Sequence, residues 1–92
     1  MSIDIAACFG DNLARLRRAA DLSQEELSVR ASIHRTEVSQ LERGLRIPRI
    51  DTLVKLAASL EASADELLAG LEWKPGGMVY GRFRSVDEGG SQ

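Results

Sequence analysis

The chain has 92 residues, 43% of them hydrophobic and 28% charged, which allows one small globular domain and excludes a fibrous or wholly disordered protein. No apolar run approaches the roughly 18 residues of a membrane span, and the formal net charge of −2 excludes a uniformly basic nucleic-acid binder. The single cysteine, Cys8, excludes an intrachain disulfide. The start of the chain, Met1 to Cys8, is acidic and lacks the basic region of a signal peptide, so a reducing, cytoplasmic location is expected. Cys8 itself reads as a small buried or half-buried apolar residue of the first helix rather than a redox sensor.

The first helix is predicted from about Ala6 to Ala20. Phe9, Leu13, Leu16 and Ala20 fall on one stripe, Asp4 stands where a cap belongs, and Arg15, Arg17 and Arg18 sit at the end favoured by the helix dipole. Asp21 interrupts the pattern. The second helix, Gln24 to Ala31, opens with a capping box of Ser23 and Glu26, flanked by Leu22 and Leu27 at the positions of a hydrophobic staple. A turn near Ser32 separates it from a third helix that starts at His34 or Arg35 and ends at Arg43, with Gly44 as its stop. Val38 and Leu41 form the apolar back of this helix, and Arg35, Thr36, Ser39 and Gln40 occupy the rest of its circumference.

Pro48 enforces extended backbone before the fourth helix, Ile50 to Leu60, which is expected to bury Ile50, Leu53, Leu56, Ala57 and Leu60. The fifth opens with a second capping box, Ser63 and Glu66, is expected to bury Leu67 and Leu68, and ends at Gly70. Leu13, Leu16, Leu27, Val38, Leu41, Leu53, Leu56 and Leu67 are the predicted core. Beyond Gly70 the composition shifts to a tail holding the only Trp and Tyr. Pro75-Gly76-Gly77 reads as a turn, Met78 to Arg84 as a candidate strand, and residues 87–92 as a disordered end. Four large apolar side chains, Trp73, Met78, Tyr80 and Phe83, need a surface to pack on: either their own helical domain or a second subunit.

Charge is distributed unevenly. Residues 30–55 carry six Arg and Lys against three Asp and Glu, whereas residues 56–70 carry three acidic residues and no base. One basic and one acidic face suit a molecule that approaches phosphate from one side. No catalytic constellation is present. His34 is the only histidine and has no ligand-type companion at metal-site spacing, and the tail glycines lack a phosphate-loop pattern. The chain is therefore not expected to be an enzyme, and no metal, cofactor or small-molecule ligand is expected.

The segments Leu22-Ser-Gln-Glu-Glu-Leu27, Val38-Ser-Gln-Leu41-Glu-Arg-Gly44, Pro48, Thr52-Leu-Val-Lys-Leu-Ala57 and Ser63-Ala-Asp-Glu-Leu-Leu68 together resemble the phage-repressor and Cro-type (XRE) helix-turn-helix regulators, over roughly residues 9 to 70. The resemblance implies an all-α fold: a compact five-helix DNA-binding domain over residues 1–70, followed by a C-terminal tail, residues 71–92, that supplies a candidate dimerisation strand. It implies a homodimer on a palindromic operator in double-stranded DNA, with the third helix in the major groove. Two positions depart from the family: Ser32 stands where a glycine usually closes the second helix, and Ser28 where alanine is usual.

By the same resemblance Arg35, Thr36 and Gln40 are base-contacting residues. Their chemistry agrees: Arg35 suits guanine, Gln40 suits adenine and Thr36 suits a thymine methyl. Gln24, Arg43 and Arg46 are expected at phosphates, Gln24 because it opens a helix N-terminus. His34 and Ser39 are further candidate DNA contacts. Arg17 and Glu42 occupy positions that in some phage repressors form a partly buried ion pair. The competing reading is a protein-interaction module of the same fold, bridging a partner protein without reading bases. The Arg, Thr and Gln front of the third helix favours DNA over that alternative.

Overall fold

The computed structural model describes residues 4–76 and 80–86. Five helices, α1 (Ile5–Ala19), α2 (Gln24–Ala31), α3 (Arg35–Glu42), α4 (Ile50–Leu60) and α5 (Ala64–Leu67), precede two strands, β1 (Leu71–Gly76) and β2 (Tyr80–Ser85). Helices α1, α2 and α5 start at the caps that local chemistry predicts. The Asp4 carboxylate accepts from the Ala6 and Ala7 N–H groups, and both capping boxes are complete, Ser23 with Glu26 and Ser63 with Glu66.

Helices end where a left-handed residue folds the chain back. Ser32 takes φ 55° after α2, and the Ile33 N–H reaches the Ser28 carbonyl at 3.0 Å. Serine thus adopts the glycine conformation rather than opening a different turn. Gly44 (φ 72°) and Glu61 (φ 52°) do the same after α3 and α4. Asp21 (φ 60°) bends the link between α1 and α2.

Leu13, Leu27, Val38, Leu41, Leu56 and Leu67 are fully buried in one cluster with Phe9 and Leu22, and Leu16 and Leu53 pack on its edge. Helix α3 lies against α1 and α2, and α2 lies against α4. Gly10 allows α1 to approach the end of α3 closely. A Cβ there would stand 2.5 Å from the Leu41 carbonyl oxygen and 2.7 Å from that of Glu42. Buried Asn12 donates to the carbonyls of Leu67 and Ala69, each at 2.9 Å, and so terminates the short α5 against α1.

Three expected core residues lie outside the core. Ile50 is 81% exposed: α4 buries Thr52, Leu56 and Leu60, and at 3.6 residues per turn Ile50 lies about 120° round from Leu56. Leu68 is the C-cap of α5, one step beyond buried Leu67, and is 40% exposed. Ala20 is the exposed C-cap of α1 rather than part of its buried stripe.

The tail is a two-stranded antiparallel hairpin rather than a single strand. Its register pairs Trp73 with Phe83 and Glu72 with Arg84. Pro75 and Gly76 belong to β1 rather than to a turn; Gly77, Met78 and the expected disordered end lie outside the described residues. The extra strand forms because Leu71–Gly76 gains a cross-strand partner that no local pattern reveals.

Candidate nucleic-acid interface

Helix α3 is anchored from behind by Val38 and Leu41, both fully buried. Arg35 and Thr36 are exposed on its first turn, and Ser39 and Gln40 are half-buried one turn on. Thr36 and Gln40, four residues apart, share a face. His34 is the N-cap: its Nδ1 accepts from the Thr36 N–H at 3.0 Å. That bond places the ring proton on Nε2, which remains available for an outside acceptor. The histidine therefore has a structural task that sequence reasoning missed. Its position three residues before Glu37 was the available signal, masked because Ser, Thr, Asp and Asn are the usual caps.

Behind α3, three helices meet at one carboxylate. Arg17 Nε and Nη2 of α1 donate to Glu42 Oε2 and Oε1 at 2.6 and 3.0 Å, a bidentate pair. A third guanidinium nitrogen, Nη1, donates to the Leu22 carbonyl at 2.8 Å. Gln24 Nε2, at the start of α2, donates to Glu42 Oε1 at 3.0 Å. Burial is the largest single influence on Glu42 and works to raise its pKa. The bonds from Arg17 and Gln24, with the charges of Arg17 and Arg18, outweigh it, and the carboxyl titrates below its ordinary value. The Arg17 guanidinium is correspondingly held more basic, chiefly by its bond to Glu42. The Gln24 amide is thus oriented by a buried anion, with one N–H engaged and one still to give.

The two arginines at the far end differ. Arg43 is the exposed C-cap of α3. Arg46 is carried back by the left-handed turn at Gly44, where the Leu45 N–H bonds the Gln40 carbonyl at 3.0 Å. Its Nη1 donates to Gln40 Oε1 at 3.2 Å, and its Nη2 lies 4.0 Å from Glu37 Oε2. A residue expected at a phosphate therefore touches one expected at a base. The sequence holds the signal only as a spacing of six residues across a glycine.

Cys8 of α1 is half-buried, with its thiol 3.7 Å from the Ala69 carbonyl. Burial, with the neighbouring Asp11 charge, raises its pKa and so disfavours the reactive thiolate. Among the described residues no group of three or more His, Cys, Asp or Glu side chains is placed to hold a metal ion, and no helix is long and apolar enough to cross a membrane.

Comparison with known proteins agrees with this geometry. The helix-turn-helix family HTH_3 matches residues 13–67. An uncharacterized HTH-type transcriptional regulator of Sinorhizobium fredii, y4dJ, is 40% identical over 75 residues, covering 82% of this chain and 97% of its own. Control protein C.BamHI of Bacillus amyloliquefaciens is 32% identical over 69 residues, covering 74% and 85%. The crystal structure of the restriction-modification controller protein C.AhdI from Aeromonas hydrophila superposes with a TM-score of 0.66 at 37% identity, covering 67% of this chain and 94% of that one. With a buried Val38–Leu41 anchor, an exposed polar front on α3 and a family match across all five helices, the chain belongs to the HTH_3 helix-turn-helix family of Cro-type, DNA-binding transcriptional regulators.

Proposed function

We propose that the protein regulates transcription by binding a palindromic site in double-stranded DNA as a homodimer, with α3 of each protomer in the major groove. The observation that carries this reading is the division of α3: Val38 and Leu41 fix it to the body while Arg35, Thr36 and Gln40 face outward. Arg35, Thr36 and Gln40 meet base edges, with His34 and Ser39 beside them. Gln24, Arg43 and Arg46 hold phosphates on either side and set the register of the helix. Residues 1–70 form the DNA-binding unit, and within the C-terminal tail, residues 71–92, the strands β1 and β2 extend the surface between protomers. Supporting the reading, this chain matches most of the length of C.BamHI, a control protein, and of C.AhdI, a restriction-modification controller protein. Half-sites lie about 34 Å apart, one turn of duplex.

The test is selection of bound duplexes from a random library, followed by titration of two variants on matched and mismatched sites. Gln40→Ala is expected to cost about 1–3 kcal/mol and to relax preference at one base pair of each half-site. Arg43→Ala is expected to weaken all sequences alike and to reduce the salt slope by about one unit. Identical, uniform losses from both variants would remove the base-reading assignment and favour a protein-interaction module.

A further inference from the structure

We propose that Arg46 determines specificity by positioning Gln40, beyond any charge it offers to phosphate. The proposal rests on the base-reading role of Gln40 given above. The Gly44 turn returns the chain over the last turn of α3 and sets the Arg46 guanidinium against the Gln40 amide, Nη1 to Oε1 at 3.2 Å. Glu37, one turn before Gln40 on the same side of α3, steadies the guanidinium from 4.0 Å.

Chemistry fixes which way the amide points. A guanidinium carries only donors, so it accepts the amide oxygen as neighbour and rejects the amide nitrogen. The Gln40 Nε2 is therefore turned away from Arg46 and presents two N–H donors. An unrestrained glutamine pairs with adenine by giving Nε2–H to N7 and taking N6–H on Oε1. Arg46 takes one of the two lone pairs of Oε1 and sets a positive charge beside the other, which disfavours approach of the adenine N6 amino donor. The two free Nε2–H donors match guanine, whose N7 and O6 are both acceptors, whereas adenine must bring its N6 amino group to an oxygen already bonded to a cation. Arg46 thus shifts Gln40 from an adenine reader to a guanine reader. The contact is on the surface, with Arg46 46% exposed, so its loss leaves the fold intact.

The experiment uses the full chain and duplex oligonucleotides carrying each of the four base pairs at the position where Gln40→Ala flattens preference. Wild type is expected to favour guanine over adenine there by about tenfold. Arg46→Ala is expected to lose or invert that ratio while preferences at the other positions stay as they were. In a Gln40→Ala background the Arg46→Ala change should leave the ratio untouched. An Arg46→Ala protein that keeps the wild-type ratio and loses affinity uniformly would overturn the proposal, leaving a phosphate contact. A ratio that still moves in the Gln40→Ala background would also overturn it, since Arg46 would then touch the base itself. Wild-type binding without sequence preference at any position would sink the base-reading role first, and this proposal with it.

Discussion

Glu42 holds more of the interface together than any other side chain. Its carboxylate joins Arg17 of α1 and Gln24 of α2 to α3, and it is almost wholly buried. Removing one member of such a pair strands the other charge, so Glu42→Ala is expected to destabilise by about 3 kcal/mol in urea unfolding at neutral pH. The direction of its titration adds a pH dependence. Because the folded-state pKa lies below the unfolded value, the ionised carboxyl contributes fully above the unfolded pKa, and that contribution is lost as pH falls through the folded one. The stability gap between wild type and Glu42→Gln should therefore be large at neutral pH and close in acid. A gap that stays constant from neutral to strongly acidic pH would show that the charge is not what the network uses.

The elements of the helix-turn-helix are defined by their ends more than by their interiors. Helix α2 has eight residues, too short to persist alone, so its cap, its staple and its left-handed exit decide where it stops. Ser32 supplies that exit at a steric cost, since a residue with a Cβ is disfavoured at φ 55°. Ser32→Gly removes the cost and gives back part of it as unfolded-chain entropy. A net gain of about 0.5–1 kcal/mol is expected, read as a higher melting temperature. Unchanged or lower stability would mean that the serine side chain contributes to the turn in its own right. The hairpin follows a different logic. Trp73 packs edge-to-face on Phe83, ring centroids 5.1 Å apart, and Gly81 leaves room for the indole. Arg84 Nη2 pairs with Glu72 at 2.7 Å across the strands.

At the scale of the molecule, the buried leucines form one cluster shared by all five helices, and Leu41 sits where α3 meets it. Leu41→Ala is expected to cost about 2–5 kcal/mol in denaturant unfolding, and a loss under about half a kcal/mol would exclude it from the core. Trp73 and Phe83 of the hairpin do not join that cluster and remain 52% and 39% exposed. A two-stranded hairpin is marginal in water unless a further strand or surface covers it. A second protomer would supply such a surface, in keeping with the proposed place of the tail in the homodimer contact. Truncation after Gly70 should then convert dimer to monomer in analytical ultracentrifugation, and an unchanged dimer would place the interface on the helices alone.

What the sequence determined by itself is the local part of this protein. Capping boxes, the Asp4 cap, the end at Gly44 and the apolar back of α3 each depend on groups within about four residues of one another, so they are legible before the chain folds; α5 stops at Leu67, short of the expected Gly70. The Arg17–Glu42 pair was legible only through family resemblance, because 25 residues separate its members. Tertiary structure decided the rest. Ile50 opens α4 and Leu68 caps the end of α5; both are apolar, and only the placement of neighbouring helices leaves them exposed. Gly10 reads as a weak helix residue until α3 is laid across it. Leu71–Gly76 carries Pro and Gly and becomes a strand only when β2 pairs with it. The contact of Arg46 with Gln40 exists because a left-handed glycine returns the chain over α3, a geometry that periodicity cannot encode.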